Sequence, residues 1–166
     1  TWTMKVGLRA QLLGSSSWEE NNGNETSFLT RRARLKFDGY AYSPKLKYKV
    51  ELGLSNRDLS GASQYTSNAP RYILDAVLQW NFYQNFELWF GQTKLPGNRG
   101  RLISSGKLRQ VDRSILNSRL TFDRDFRYQL RHHFSLTETF IVKESCSLAQ
   151  GEGRNITAGD LGGHQY

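Results

Sequence analysis

WTMKVGLRAQLL, residues 2–13, alternates along nearly its whole length. Trp2, Met4, Val6, Leu8, Ala10 and Leu12 are apolar, and Thr3, Lys5, Gly7, Arg9 and Gln11 lie between them. A β-strand sends successive side chains to opposite faces, so this segment has one apolar face and one wet, basic face.

The same alternation returns along the chain. A second strand is predicted over Phe28–Tyr42, with Ala33, Leu35, Phe37, Gly39 and Ala41 opposite Arg32, Arg34, Lys36, Asp38 and Tyr40. A third, Leu46–Ser55, sets Leu46, Tyr48, Val50, Leu52 and Leu54 against Lys47, Lys49, Glu51, Gly53 and Ser55. In a fourth, Arg71–Phe82, the apolar face is Tyr72, Leu74, Ala76, Leu78, Trp80 and Phe82, with Ile73 and Val77 breaking the pattern of the other face. Phe86–Lys94, Phe122–Phe134 and Phe140–Gln150 complete seven strands, and His164–Tyr166 reads as the start of an eighth. Glu144 falls on the apolar face of the seventh, so a bulge or a register error is expected there. The connections alternate in length. Ser43-Pro44-Lys45 and Tyr83-Gln84-Asn85 are tight turns, whereas Gly14–Ser27, Asn56–Pro70, Leu95–Asn117 and Gly151–Gly163 read as long loops.

Strands with one apolar face, joined by short turns at one end and long loops at the other, are the rhythm of a transmembrane β-barrel. The fold class is all-β, an antiparallel membrane barrel. The residues expected to face lipid are Met4, Leu8, Leu35, Phe37, Val50, Leu52, Leu74, Leu78, Leu88 and Phe90. Trp80, Phe82, Tyr83 and Phe86 around one turn, and Tyr40, Tyr42 and Tyr48 around another, read as parts of an interfacial aromatic girdle. No run approaches the roughly 18 apolar residues of a membrane-spanning helix. The single Cys146 excludes a disulfide within the chain and a cysteine metal cluster. The 166 residues suit one domain. Bacterial barrels have an even strand count, and an aqueous lumen takes about 16 strands. Residues 1–166 are therefore expected to form the N-terminal half of a larger barrel, not closed on itself. The start inside a strand pattern implies a removed signal peptide or a missing N-terminus.

The net charge of +8 is compatible with a nucleic-acid binder, a binder of anionic membranes or a conduit for anions. The charges sit on the polar faces of alternating segments rather than in one block, which favours the conduit and argues against nucleic acid. Lys5, Arg9, Arg32, Arg34, Lys36, Lys47, Lys49, Arg127 and Arg131 would line the wall of such a pore.

Three stretches carry a resemblance: TRRARLKFDGYAYSPKLKYKVELGLSN (Thr30–Asn56), FGQTKLPGNRGRLISSGKLRQVDRSILNSRLTFDRDF (Phe90–Phe126) and AQGEGRN (Ala149–Asn155). In order and spacing they resemble the N-terminal half of the phosphate-selective porin O and P family of outer-membrane channels. The resemblance implies a large antiparallel barrel, about 16-stranded and often trimeric, in the outer membrane of a Gram-negative cell. It implies inorganic phosphate or other small anions as permeants. It also implies that the third long loop, here Leu95–Asn117, folds into the lumen and narrows it. That loop holds Arg99, Arg101, Lys107, Arg109 and Arg113 against one acid, Asp112, and would form an electropositive constriction held to wall acids such as Asp38, Glu51 and Asp75. Among the family's pore arginines, the RRAR segment matches Arg31, Arg32 and Arg34. Strand parity puts Arg32 and Arg34 in the lumen and Arg31 outside. Either Arg31 snorkels at the rim or a bulge turns it inward.

A unit charge about 6 Å from an anion, at an effective dielectric constant of about 20, gains roughly 2.8 kcal/mol. Conduction also requires release, so cations spread along a wall serve better than one tight site. His132 and His133 are adjacent on a strand, point to opposite faces and cannot readily share an ion. Asp123 and Asp125 lie on one face, but Arg124 and Arg127 beside them make ion pairing the simpler reading than acid–base work. Neither an enzyme nor a cofactor is expected. The alternative to an anion channel is a structural or accessory barrel in a larger envelope complex, without selective transport.

Overall fold

A computed structural model describes residues 1–19, 23–59, 71–96, 124–151 and 153–156. Its described secondary structure is seven strands: β1 (Lys5–Glu19), β2 (Gly23–Tyr40), β3 (Leu46–Gly53), β4 (Ile73–Tyr83), β5 (Phe86–Lys94), β6 (Arg124–Ser135) and β7 (Ile141–Ala149). They form one sheet in chain order, and every neighbouring pair is antiparallel. Among the described residues β1 and β7 are edges and do not pair with each other, so the sheet is open.

Residues directly opposite one another in an antiparallel pair share a face. The register therefore sorts the side chains without further assumption. One face carries the rungs Leu8–Leu35–Leu52–Ile73, Val6–Phe37–Val50–Ala76, Tyr48–Leu78–Phe90–Tyr128–Leu148 and Leu46–Trp80–Leu88–Leu130–Cys146. The other carries Gly7–Lys36–Glu51–Asp75, Lys5–Asp38–Lys49–Val77–Gly91–Arg127–Ala149 and Tyr40–Lys47–Gln79–Trp89–Gln129–Ser147.

Burial runs opposite to that of a water-soluble protein. Among the described residues, ten buried side chains are polar or charged and only Leu74, Val77 and Ala149 are buried hydrophobics. Leu8 and Leu12 stand 75% and 78% exposed on the other side. In water, leaving a leucine out costs about 1.5–3 kcal/mol relative to burial, and a whole face of them has no aqueous rationale. Lipid against that face removes the cost, as in the wall of a membrane barrel. At the short-turn end the apolar face becomes aromatic. Trp80 and Phe82 have ring centroids 5.7 Å apart, and Phe86 stacks on His132 at 4.1 Å. These rings cluster where the interfacial girdle is expected.

Three expectations need correction. The stretch Gly14–Ser27 is not a loop. β1 and β2 remain paired from Gly14↔Phe28 to Glu19↔Gly23. Backbone pairing propagates once a register is set and needs no apolar face. Here it is reinforced by polar cross-strand contacts, Ser15 Oγ to Ser27 Oγ and Ser16 Oγ donating to Asn24 Oδ1, both 2.7 Å. Leu74 does not face lipid. A register shift between Glu51 and Leu52 opposes Asp75 to Glu51 and Ile73 to Leu52, so Leu74 is the extra residue of a bulge and is 1% exposed on the polar side. The shift also explains why Ile73 broke the sequence pattern: it takes the outward place. Conversely, β7 has no bulge. It pairs with β6 without a shift from Arg127↔Ala149 to Ser135↔Ile141, and Glu144 stays on the outward face opposite His132, 3.5 Å from its Nδ1.

Candidate functional site

A second register shift, between Gln11 and Leu12, leaves Arg31 as the extra residue of β2, since Gln11 opposes Arg32 and Leu12 opposes Thr30. The bulge turns Arg31 to the polar side, where it lines one cleft together with Arg32 and Arg34. Of the two routes open to Arg31, the bulge is the one taken.

That cleft, about 510 Å³, lies at the long-loop end of the sheet. Arg31, Arg32 and Arg34 come from β2, Arg57 and Asp58 from the segment after β3, Arg71 from just before β4 and Leu74 from its start, Arg124 from the start of β6, and Gly153 and Arg154 from beyond β7. Among the described residues, seven guanidiniums and one carboxylate line it. Asp58 is built into place. Its backbone N–H donates to Ser55 O at 2.9 Å, and Ser55 Oγ donates to Asp58 Oδ2 at 3.1 Å. The turn that carries it folds over Gly53, where an added Cβ would meet the Asp58 Cβ at 2.7 Å. Gly53 opposes Arg34 on the neighbouring strand, so its missing side chain is the space through which Asp58 reaches Arg34. Arg34 donates to Asp58 Oδ1 from Nε at 3.0 Å and Nη2 at 2.5 Å, and to Glu51 Oε1 from Nη1 at 3.0 Å. Arg154 Nη2 closes the far side by donating to the Asp58 carbonyl at 3.0 Å.

Below the cleft the wall is compensated. Lys49 lies 3.5 Å from Glu51 and donates to Asp75, which also accepts from Arg124 Nε at 2.8 Å. Lys36 pairs with Asp38 at 2.7 Å. Asp58, Arg34, Glu51, Lys49, Asp75 and Arg124 thus form one chain of alternating charge across four strands and the turn. An anion about 6 Å away gains roughly 2.8 kcal/mol from one cation, but a carboxylate at the same distance takes the same amount back. The mid-wall pairs therefore contribute little net field, while the described lining of the cleft holds more guanidinium than carboxylate. Asp38, Glu51 and Asp75, the acids expected to hold the third loop, all have wall cations as partners.

All nine cations expected on the wall share the polar face. Arg9 opposes Arg34, Gln11 opposes Arg32, and Lys5, Lys36, Lys47, Lys49, Arg127 and Arg131 follow on the rungs below. They differ in setting. Arg32 Nη1 donates to Gln11 Oε1 at 2.7 Å, and Arg131 lies over the Trp89 ring, 4.3 Å from its centroid, near the short-turn end. The cleft unites only Arg32 and Arg34 of the nine. Arg57, Arg71, Arg124 and Arg154 were not expected there. Of these, only Arg124 and Arg154 had a pointer, their places in the Phe90–Phe126 and AQGEGRN stretches. Arg99, Arg101, Lys107, Arg109 and Arg113 lie outside the described residues. The loop that holds them leaves from β5 and returns at β6, at the same end as the cleft.

Among the described residues no group of three His, Cys, Asp or Glu side chains is placed to hold a metal ion. No curated protein and no solved structure matches the chain. The sequence profile described as phosphate-selective porin O and P matches residues 5–139, which takes in all of β1 to β6 and the polar wall they build. By that match over well more than half its length, the chain belongs to the phosphate-selective porin O and P family.

Proposed function

We propose that this chain builds part of the wall of an outer-membrane channel through which small oxyanions, inorganic phosphate among them, diffuse passively. The arginine cleft at the long-loop end carries the reading. Planar guanidinium forks suit tetrahedral oxyanions, and the described guanidiniums of the cleft beyond Arg34 and Arg124, five against no carboxylate but Asp58, concentrate anions at the mouth. The compensated wall below then passes them on without a deep trap, as conduction requires. The third long loop, Leu95–Asn117, adds five cations to the same end and narrows the lumen, and three such barrels associate in the membrane.

The test is the reversal potential of the protein in a planar bilayer under a salt gradient. Anion preference is expected, and it should shift toward zero when Arg99, Arg101 and Arg109 are replaced by Glu together. A native channel that prefers cations would give the lead to an accessory barrel without selective transport.

A further inference from the structure

Two side chains in the middle of β6 are buried with polar atoms that nothing among the described residues satisfies. Arg127 is 3% exposed, and neither its Nε nor its Nη1 has a hydrogen-bond partner. Gln129 is 2% exposed, and its Oε1 has none. They are two residues apart on one strand, so both lie on the polar face, side by side. Arg127 is flanked on its rung by Gly91 on β5 and Ala149 on β7, neither of which has a side chain that could reach the guanidinium and satisfy it. The backbone at Gly91 fixes that gap: its φ is +121°, and an added Cβ would come 2.2 Å from the Ala76 carbonyl oxygen. Trp89, next to Gln129, is already engaged by Glu87 at 3.0 Å and by Arg131.

An orphaned buried donor or acceptor is costly, and a charged donor more so. Such groups occur where a ligand or water completes them. The complement is specific. Two guanidinium N–H groups require acceptors with negative charge. The amide oxygen requires a donor. A single species that offers both is an oxyanion that keeps a proton: hydrogen phosphate, dihydrogen phosphate or arsenate has P–O⁻ or As–O⁻ acceptors and an O–H donor. Sulfate at neutral pH has acceptors only, and would leave Gln129 Oε1 facing a negative oxygen.

We propose that Arg127 and Gln129 form a station on the wall that favours protonated oxyanions over sulfate, with Gln129 as the residue that discriminates. This rests on the reading of the wall as an anion path. Arg127 attracts either anion; Gln129 accepts the hydrogen bond that only the protonated one can give. A site built to hydrogen-bond a hydroxyl group rejects the analogue that lacks it far better than an apolar pocket rejects an extra group.

The experiment is block of chloride current through the reconstituted protein by inorganic phosphate and by sulfate, each titrated at neutral pH. The native channel should be blocked by phosphate at about tenfold lower concentration than by sulfate, the ratio expected of one hydrogen bond to a charged species. Gln129→Met, of similar volume with no comparable acceptor, should bring the two close together. Arg127→Gln should weaken both while leaving much of the ratio. Gln129→Glu keeps an acceptor oxygen, so it should lower both affinities and harm sulfate more; it decides the matter if the Met variant does not insert. Equal block by the two anions in the native channel, or a ratio unmoved in Gln129→Met, overturns the station while leaving an anion channel in place. A channel that prefers cations overturns both readings.

Discussion

The loop-end cleft and the wall just below it are made of the same residue types on the same face, yet they do different physical work. In the mid-wall, Glu51, Asp75 and Asp38 each lie against a cation on their own or a neighbouring strand. In the cleft, among the described residues, five arginines beyond Arg34 and Arg124, which hold the wall carboxylates, share the lining with Asp58 as the one carboxylate. Paired charge ties strands together and nearly cancels at a distance; excess charge of one sign attracts a solute and adds little cohesion. A count of basic residues along the polar face would rank the two regions alike. What separates them is where the acids fall in the register.

The largest effect is expected from breaking the compensated region. Asp75→Ala leaves Lys49 and Arg124 facing each other without their shared carboxylate, a loss of about 3–5 kcal/mol for a buried pair deprived of one partner. The urea midpoint of the folded barrel in detergent should fall accordingly; an unchanged midpoint would mean the network does not hold the strands. On the outward side, Leu35→Arg places a charge among Leu8, Leu52 and lipid and should cost about 2–4 kcal/mol near the bilayer midplane. The same titration in vesicles checks it. A cleft substitution should act on conduction instead. Arg32→Glu with Arg71→Glu should lower the anion-to-cation permeability ratio about tenfold, or about 1.4 kcal/mol, with little change in urea resistance. If stability falls and selectivity stays, the contrast between the two regions is reversed. The smallest effect is expected of Lys36→Met. Its pair with Asp38 is solvent-exposed on both sides, so less than about 1 kcal/mol should be lost.

Strand parity was legible in the sequence because one face meets lipid and the other water, and a slip of one residue would exchange them. That is why Lys5, Arg9, Arg32, Arg34, Lys36, Lys47, Lys49, Arg127 and Arg131 share the polar face as read. Parity fails where a bulge adds a residue. Arg31 and Leu74 each sit at such a step, and both turn toward the same cleft. The alternation carries no mark of a bulge beyond a locally misplaced side chain, such as Ile73. The cleft's other members were beyond reach for a different reason. Arg57, Arg71 and Arg154 lie outside the named strands, and Arg154 meets Asp58 across 96 residues, a contact set by the fold of loops and not by any period. The polar end of the β1–β2 hairpin was missed because hydrophobic pattern reports lipid, and pairing there continues past the lipid.

That hairpin end has a consequence for whatever meets the cell from outside. From Ser15↔Ser27 to Glu19↔Gly23 the two strands stay hydrogen-bonded for five rungs, roughly 17 Å at about 3.4 Å each. With the long-loop end outward, this ribbon would stand above the membrane as a paired palisade at one side of the pore mouth. A protease must draw a single extended strand into its own groove, and a paired ribbon offers none. An antibody or phage fibre, which reads a paired surface, would find one in these serine-rich rungs.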